Sequence, residues 1–456
     1  MPEAVTSATE PDVDSLNRLC RELAEAADAV GEAARYASEL ALASRMRLAA
    51  FRPGSRRAAA WRTLLRTLTS PAALGWAPRG RGVMVRAGRL SGVLAGRESL
   101  AVSLAVLGLK ARIRAAAVRH PELLADPASA RVLSAIEQDR HGEAIRVFKS
   151  IVNSRGAEHA FAVLAPSFAD ILAWNALTDE NPFNDAVGWQ VATGRAMTAE
   201  PLLGPVPRFR SFTDRGSSGR AGVLTADPAL TGALDTSGTI AGYVRNIGLL
   251  GTGGILLIQR VIGPDGVQRY VVQLAGTARE RDCRSPQDLF GAFNAVASPD
   301  SPYTRAASKA VRSVVPSGTE VALIGHGQGG IAAMNLAGGR DFTSLYTLTH
   351  VVAVGSPIDA KRPADPRTQV ISLVNEHDVV PSLEGRSALS PYRLPSEFTE
   401  FTWTDDTHSF PRCHAAERYA HNLEFDVPEA IDHVNAELAA YRGLVSATHL
   451  FQLFDR

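Results

Sequence analysis

The segment EVALIGHGQGGIAAMNLAGG, residues 320–339, constrains the fold more than any other stretch of the chain. It opens as a short apolar strand pattern and closes as a run rich in alanine and other helix formers. Between the two lies only the turn around Gly325, Gly327 and Gly329. A strand that turns into a helix over so few residues needs positions without a Cβ, because the helix must come back against the strand at close range. Such a unit belongs in a sheet covered by helices, with the turn at the carboxyl end of its strand.

The text on either side follows the same logic. Strand patterns stand at ILLIQRVI (255–262), RYVVQLAG (269–276), HVVAVG (350–355), QVISLV (369–374) and EFTEFTW (397–403), with helical stretches at 303–314 and 329–338. This alternation predicts an α/β fold over residues 238–456, built on parallel central strands. The Pro-Asp-Gly turn in GPDGVQ predicts that the sheet opens with an antiparallel pair. Residues 1–200 read differently. Apolar residues recurring at three and four across 14–50, 56–69, 97–118, 121–138, 142–152 and 156–175 predict an all-α region. Residues 201–237, dense in Gly, Pro, Ser and Thr, read as a linker with one short helix.

The chain of 456 residues has 48 basic and 47 acidic side chains, a net charge of +1 that argues against a general nucleic-acid or anionic-membrane binder. The total conceals a polarised chain. Between residues 51 and 119, fourteen basic side chains face the single acid Glu98, which leaves the remainder near −12. That excess can be neutralised inside the chain, or it can meet an acidic protein or, beside the apolar run at 100–109, a membrane surface. Nucleic acid is disfavoured, since the aromatic interleaving that suits single strands is missing. The run 100–109 is about half of the roughly 20 residues a membrane span needs. The amino-terminal MPEAVTSATEPDVD lacks the basic and apolar segments of a conventional signal peptide, so a cytoplasmic protein is expected. Cys20, Cys283 and Cys413 are too scattered for a disulfide framework or a Cys/His metal site.

In its strand-turn-helix setting, GHGQG resembles the nucleophile elbow GxSxG, with Gly327 where the serine would stand. From that motif, residues 239–440 resemble α/β-hydrolases of the class 3 lipase-like kind and actinobacterial hydrolases built on GHSQGG. The similarity extends to Gly276-Thr277, to the Gly-Ser-Pro corner that contains Ser356, to Asp378 in NEHDVVP and to His414 in HAAERYAHNL. Elbow, acid and histidine come in the order this fold expects. The resemblance implies that Asp378 is the acid and His414 the histidine, with His408 and His421 as competitors. It further implies an oxyanion hole formed by Thr277 and Gln328, and no metal, nucleotide or redox cofactor. Ser356 is explained by turn chemistry, His326 is expected to point away from the site, and Cys413 has no separate base to activate it.

A hydrolase of this type attacks its substrate with a serine that the histidine deprotonates. Gly327 has no side chain, so no acyl-enzyme can form there. Losing the nucleophile costs on the order of a million-fold in turnover and leaves roughly 10³ to 10⁴ over water. Three readings stay open on the sequence. The chain is a catalytically silent homologue that binds an acyl or ester small molecule or a partner. Alternatively it is a hydrolase that works by a modified mechanism, such as a water activated by His414, or one whose serine was replaced. In the third reading the helical region is the functional scaffold and the hydrolase-like domain is structural.

Overall fold

A computed structural model describes residues 13–42, 56–69, 74, 99–155, 160, 163–179, 185–194, 219–225, 228–251, 253–276, 300–384, 386, 389–392, 394–406 and 410–455. The chain divides into two units, one of Met1–Ile151, Ser167–Met197 and Gly385–Arg393, the other of Val152–Pro166, Thr198–Glu384 and Leu394–Arg456.

The described part of the first unit is helical: α1 (Val13–Leu42), α2 (Arg56–Thr69), α3 (Leu100–Arg119), α4 (Pro127–Glu137), most of α5 (His141–Arg155), α6 (Phe168–Thr178) and α7 (Asp185–Thr193). The centre is α3, which packs against α1, α6 and α7. It starts where the Ser99 hydroxyl accepts the Val102 N–H at 3.2 Å, and it buries Ala101, Ala105, Leu109, Ile113 and Ala116. Small residues let the neighbours approach closely: a Cβ on Gly31 of α1 would lie 2.6 Å from the Trp189 ring of α7.

A charge pair is buried inside this unit. Arg112 and Asp170 are each only 1% exposed and pair at 2.7 Å. Arg112 also donates to the Val191 carbonyl at 3.3 Å, in the last turn of α7, where helix carbonyls lack intrahelical donors. Lys110 and Arg114 pair with Asp139 and Glu137 of the same unit. Lys110, Arg112 and Arg114, of the fourteen basic residues counted between 51 and 119, therefore pair with acids of the helical unit itself. No helix among the described residues is long and apolar enough to cross a membrane.

The second unit is built on an eight-stranded sheet in the order β1-β8-β2-β3-β4-β5-β6-β7. The strands are β1 (Arg220–Val223), β2 (Ile255–Ile262), β3 (Gln268–Leu274), β4 (Glu320–His326), β5 (Thr347–Val354), β6 (Gln369–Asn375), β7 (Phe398–Trp403) and β8 (Leu444–Phe454). From β3 to β7 every pairing is parallel, and β2 pairs antiparallel with β3 through the expected turn. Helices α9 (Pro302–Val314) and α10 (Gln328–Gly338) pack on the face that carries Val272, Leu323 and Val351. The opposite face, with Val271, Ile324 and Val352, is covered by α8 (Ile240–Leu250), α11 (Ala416–Phe425) and α12 (Pro428–Glu437). Strand alternation thus sorts neighbouring residues of one strand into two cores.

The linker reading of 201–237 requires correction. Its described part holds a short helix, Pro228–Ala233, as expected, but also β1, which pairs residue by residue with the end of β8. The sheet therefore starts about twenty residues before 238. RAGV is too short and too poor in β-branched residues to announce a strand; its place is set by a partner more than two hundred residues away.

Breaking the buried pair in the first unit leaves an uncompensated charge, at a cost of about 3–5 kcal/mol. We expect Asp170→Ala to lower the thermal transition of this unit by roughly 6–20 °C, read by calorimetry. The double replacement Arg112→Met with Asp170→Leu should recover most of that loss. Equal losses in the single and double variants would contradict this account of the pair.

Candidate active site

Four parallel strands end together, and each delivers one part of the site. The end of β4 passes through Gly327 into α10, and the Gly327 N–H donates to the Val354 carbonyl of β5 at 2.9 Å. Gly327 has φ 54° and ψ −117°, a combination that residues with a Cβ adopt only at a cost. Its neighbours are glycines for a steric reason. A Cβ on Gly329 would lie 2.1 Å from the Leu274 carbonyl oxygen of β3, and one on Gly325 would lie 2.3 Å from the Gly329 backbone. Above Gly330 sits Ser356, whose hydroxyl would be 2.2 Å from an added Cβ. That hydroxyl donates to the Val354 carbonyl at 2.9 Å, in keeping with a turn role for Ser356.

Asp378 follows β6 and is 2% exposed. Its Oδ1 accepts the Val380 N–H at 3.0 Å, and its Oδ2 accepts both the Tyr419 hydroxyl at 2.9 Å and His414 Nδ1 at 2.6 Å. A carboxylate can only accept here, so a proton sits on Nδ1, and the neutral tautomer with that proton turns its Nε2 lone pair to the other side. That side is Gly327: an ideal Cβ on Gly327 would lie 3.1 Å from His414 Nε2. The next residue to approach that point is Gly276, whose Cα lies at 3.8 Å. The imidazole therefore crowds the space that a side chain at 327 would use, and must give by a few tenths of an ångström to admit one.

The structure brings Gly327, Asp378 and His414 together and places one of the two competing histidines elsewhere. His421 lies on the exposed side of α11 against the Phe425 ring, and His408 lies outside the described residues. Gln328 opens α10, at the end where helix amides point outward, while Thr277 lies outside the described residues. Cys413 is buried; burial first, then Asp378 and Asp405, push its thiol up to about 12, so it keeps its proton at neutral pH.

His326 corrects an expectation. Rather than pointing away, its ring lies tilted against the His414 ring with centroids 4.5 Å apart, and its Nε2–H donates to the His414 carbonyl at 2.7 Å. The period of a strand explains this, since Ala322, Ile324 and His326 alternate onto the face that α11 covers. Burial, reinforced by His414, holds the His326 imidazole down at about 3, so it is neutral in the fold. Tyr419, Asn375 and Gly355 were not singled out in the sequence either. The Tyr419 hydroxyl accepts the Asn375 N–H at 3.1 Å as it donates to Asp378. Gly355, at φ 55°, leaves room for that contact, because a Cβ there would lie 2.9 Å from both Asp378 Oδ2 and the Tyr419 hydroxyl.

Comparison with family models, with curated proteins and with solved structures finds no match to the chain.

Two expectations follow. Gly327→Ala should fold, at a cost of about 1–3 kcal/mol in backbone strain. Gly329→Ala should cost more than the roughly 1–3 kcal/mol of ordinary overpacking, because its Cβ meets backbone rather than a yielding side chain. Urea unfolding of the two variants checks the order. The second concerns pH. An unfolded His326 takes up a proton near 6.5, and the folded one does so only near 3, so its contribution is complete above pH 6.5 and is lost as pH falls towards 3. The stability gap between the native protein and His326→Gln should therefore narrow below pH 6.5, by at most about 1.4 kcal/mol per pH unit. A gap that is independent of pH would show that His326 titrates normally.

Proposed function

We propose that the second unit is an α/β-hydrolase domain of the lipase and esterase-like kind, and that the chain is catalytically silent because glycine stands at the nucleophile position. The observation that carries this reading is the Gly327 geometry. The residue keeps a backbone conformation that costs only a residue with a Cβ, and the point its Cβ would occupy faces His414 Nε2 across 3.1 Å, with Asp378 behind the ring at 2.6 Å. A serine hydrolase needs that relation: base beside nucleophile, acid behind base. The amino terminus of α10 begins at Gln328, where outward amides suit a developing oxyanion. In this reading the site binds an acyl or ester-type small molecule, or a partner, without turning it over. Neither Ser356 nor Cys413 stands in for the missing serine, since one hydroxyl is tied to backbone and one thiol keeps its proton.

The test restores the missing atom. Native protein should resist a fluorophosphonate probe and leave short p-nitrophenyl esters at background. Gly327→Ser should label with the probe and hydrolyse those esters at least 100-fold faster than the native protein, within the range that a restored nucleophile supplies. A Gly327→Ser variant that folds and does neither would refute the reading, as would native protein that labels as readily as the variant.

A further inference from the structure

The oxygen of Asp378 that holds His414 is not devoted to it. Oδ2 also accepts the Tyr419 hydroxyl at 2.9 Å, while His414 Nδ1 approaches the same atom at 2.6 Å. Tyr419 is fully buried on α11, and its hydroxyl is clamped from behind by the Asn375 N–H at 3.1 Å. Its ring is held edge-on by Trp403 at 5.5 Å and by His326 at 5.9 Å. With the Asn375 N–H filling an acceptor site of the phenol oxygen, its one proton is directed to the carboxylate. Desolvation first, then the Asp378 charge, raise the Tyr419 phenol well above its ordinary value, so that proton stays in place at neutral pH.

We infer that Tyr419 is a positioning residue for His414: by donating to Asp378 Oδ2 it orients the carboxylate and sets how much negative charge His414 Nδ1–H sees. The inference rests on the reading of Asp378 and His414 as an acid–histidine pair. Two donors on one oxygen share its charge, so each bond is weaker than it would be alone, and a third donor, the Val380 N–H on Oδ1, fixes the plane of the carboxylate. Removing the phenol oxygen leaves His414 as the only side-chain donor of those three, and its bond to Oδ2 shortens. A role confined to packing would leave that bond unchanged, because phenylalanine fills the same space between Trp403 and His326.

The experiment uses full-length native protein labelled with ¹⁵N, with the His414 ring nitrogens observed through its carbon-bound protons. Tyr419→Phe should shift the Nδ1 signal downfield, as expected for a stronger hydrogen bond. Site-specific 3-fluorotyrosine at 419 keeps the ring shape and makes a stronger donor, so it should shift the signal upfield; this variant serves even if the phenylalanine variant does not fold. In the Gly327→Ser background, Tyr419→Phe should lower kcat about tenfold with KM unchanged, whereas a change in KM alone would contradict positioning. A Nδ1 signal typical of a hydrogen-bonded N–H that is unmoved by either replacement overturns the role of Tyr419 alone. An Nδ1 signal that shows no bond to Asp378 in native protein overturns the pair itself, and the inference with it.

Discussion

The first turn of α10 lies against the carboxyl ends of β3 and β4 at a separation that excludes a Cβ at Gly325 and at Gly329. That close approach decides what happens between them. With the helix pressed onto the strands, the chain has to reverse within one residue, and Gly327 takes a positive φ to do so. Its Cα is thereby carried to the rim of the sheet, level with the ends of β5 and β6. The glycines are not a sign of looseness: they are the condition under which a strand, a turn and a helix amino terminus can occupy one small volume. The same condition gives the His414 ring a facing surface.

The second constraint is electrostatic. Asp378 is a buried carboxylate, and such a group is tolerated only where donors replace the lost water. Here three donors do so, two from side chains and one from backbone. His414 is held at both ends, through its ring by Asp378 and through its carbonyl by His326. The supporting residues are themselves fixed: His326 by the register of β4, and Tyr419, which donates to Asp378, by Asn375 at the end of β6. None of these bonds depends on a side chain at 327, so the arrangement holds with glycine there.

Much of this was legible in the sequence, for reasons that can be traced to particular residues. Strands β2 to β7 lie close to where the sequence predicted, and for β3 to β6 the reason is that buried parallel strands are written as nearly continuous hydrophobic text. The turn at Pro264-Asp265-Gly266 announced its antiparallel pair. Strands β1 and β8 were missed; RAGV carries almost no strand signal, and LVSATHLFQLF declares its partners only through pairing with β1 and β2. At the site, Asp378 and His414 were singled out by the resemblance that NEHDVVP and HAAERYAHNL carry, and the structure sets the two side chains 2.6 Å apart. The Tyr419 bond to Asp378 was not legible, because it joins residues 41 apart whose meeting depends on α11 lying over the end of β6. The orientation of His326 was available in principle, since counting by twos from Ala322 puts it on the α11 face.

The central claim is that His414, backed by Asp378, is poised beside an elbow that has lost its nucleophile. A thiol placed at that point reports on the arrangement without any substrate. The pH dependence of iodoacetamide alkylation of Gly327→Cys, measured against native protein, is the most direct test. Pairing with His414 should keep the new thiol ionised well below its ordinary pKa of about 8.5, so alkylation should remain fast at pH 6. A rate that falls away below pH 8.5 like that of a free thiol would mean that His414 does not address position 327, and the account of this site would be wrong.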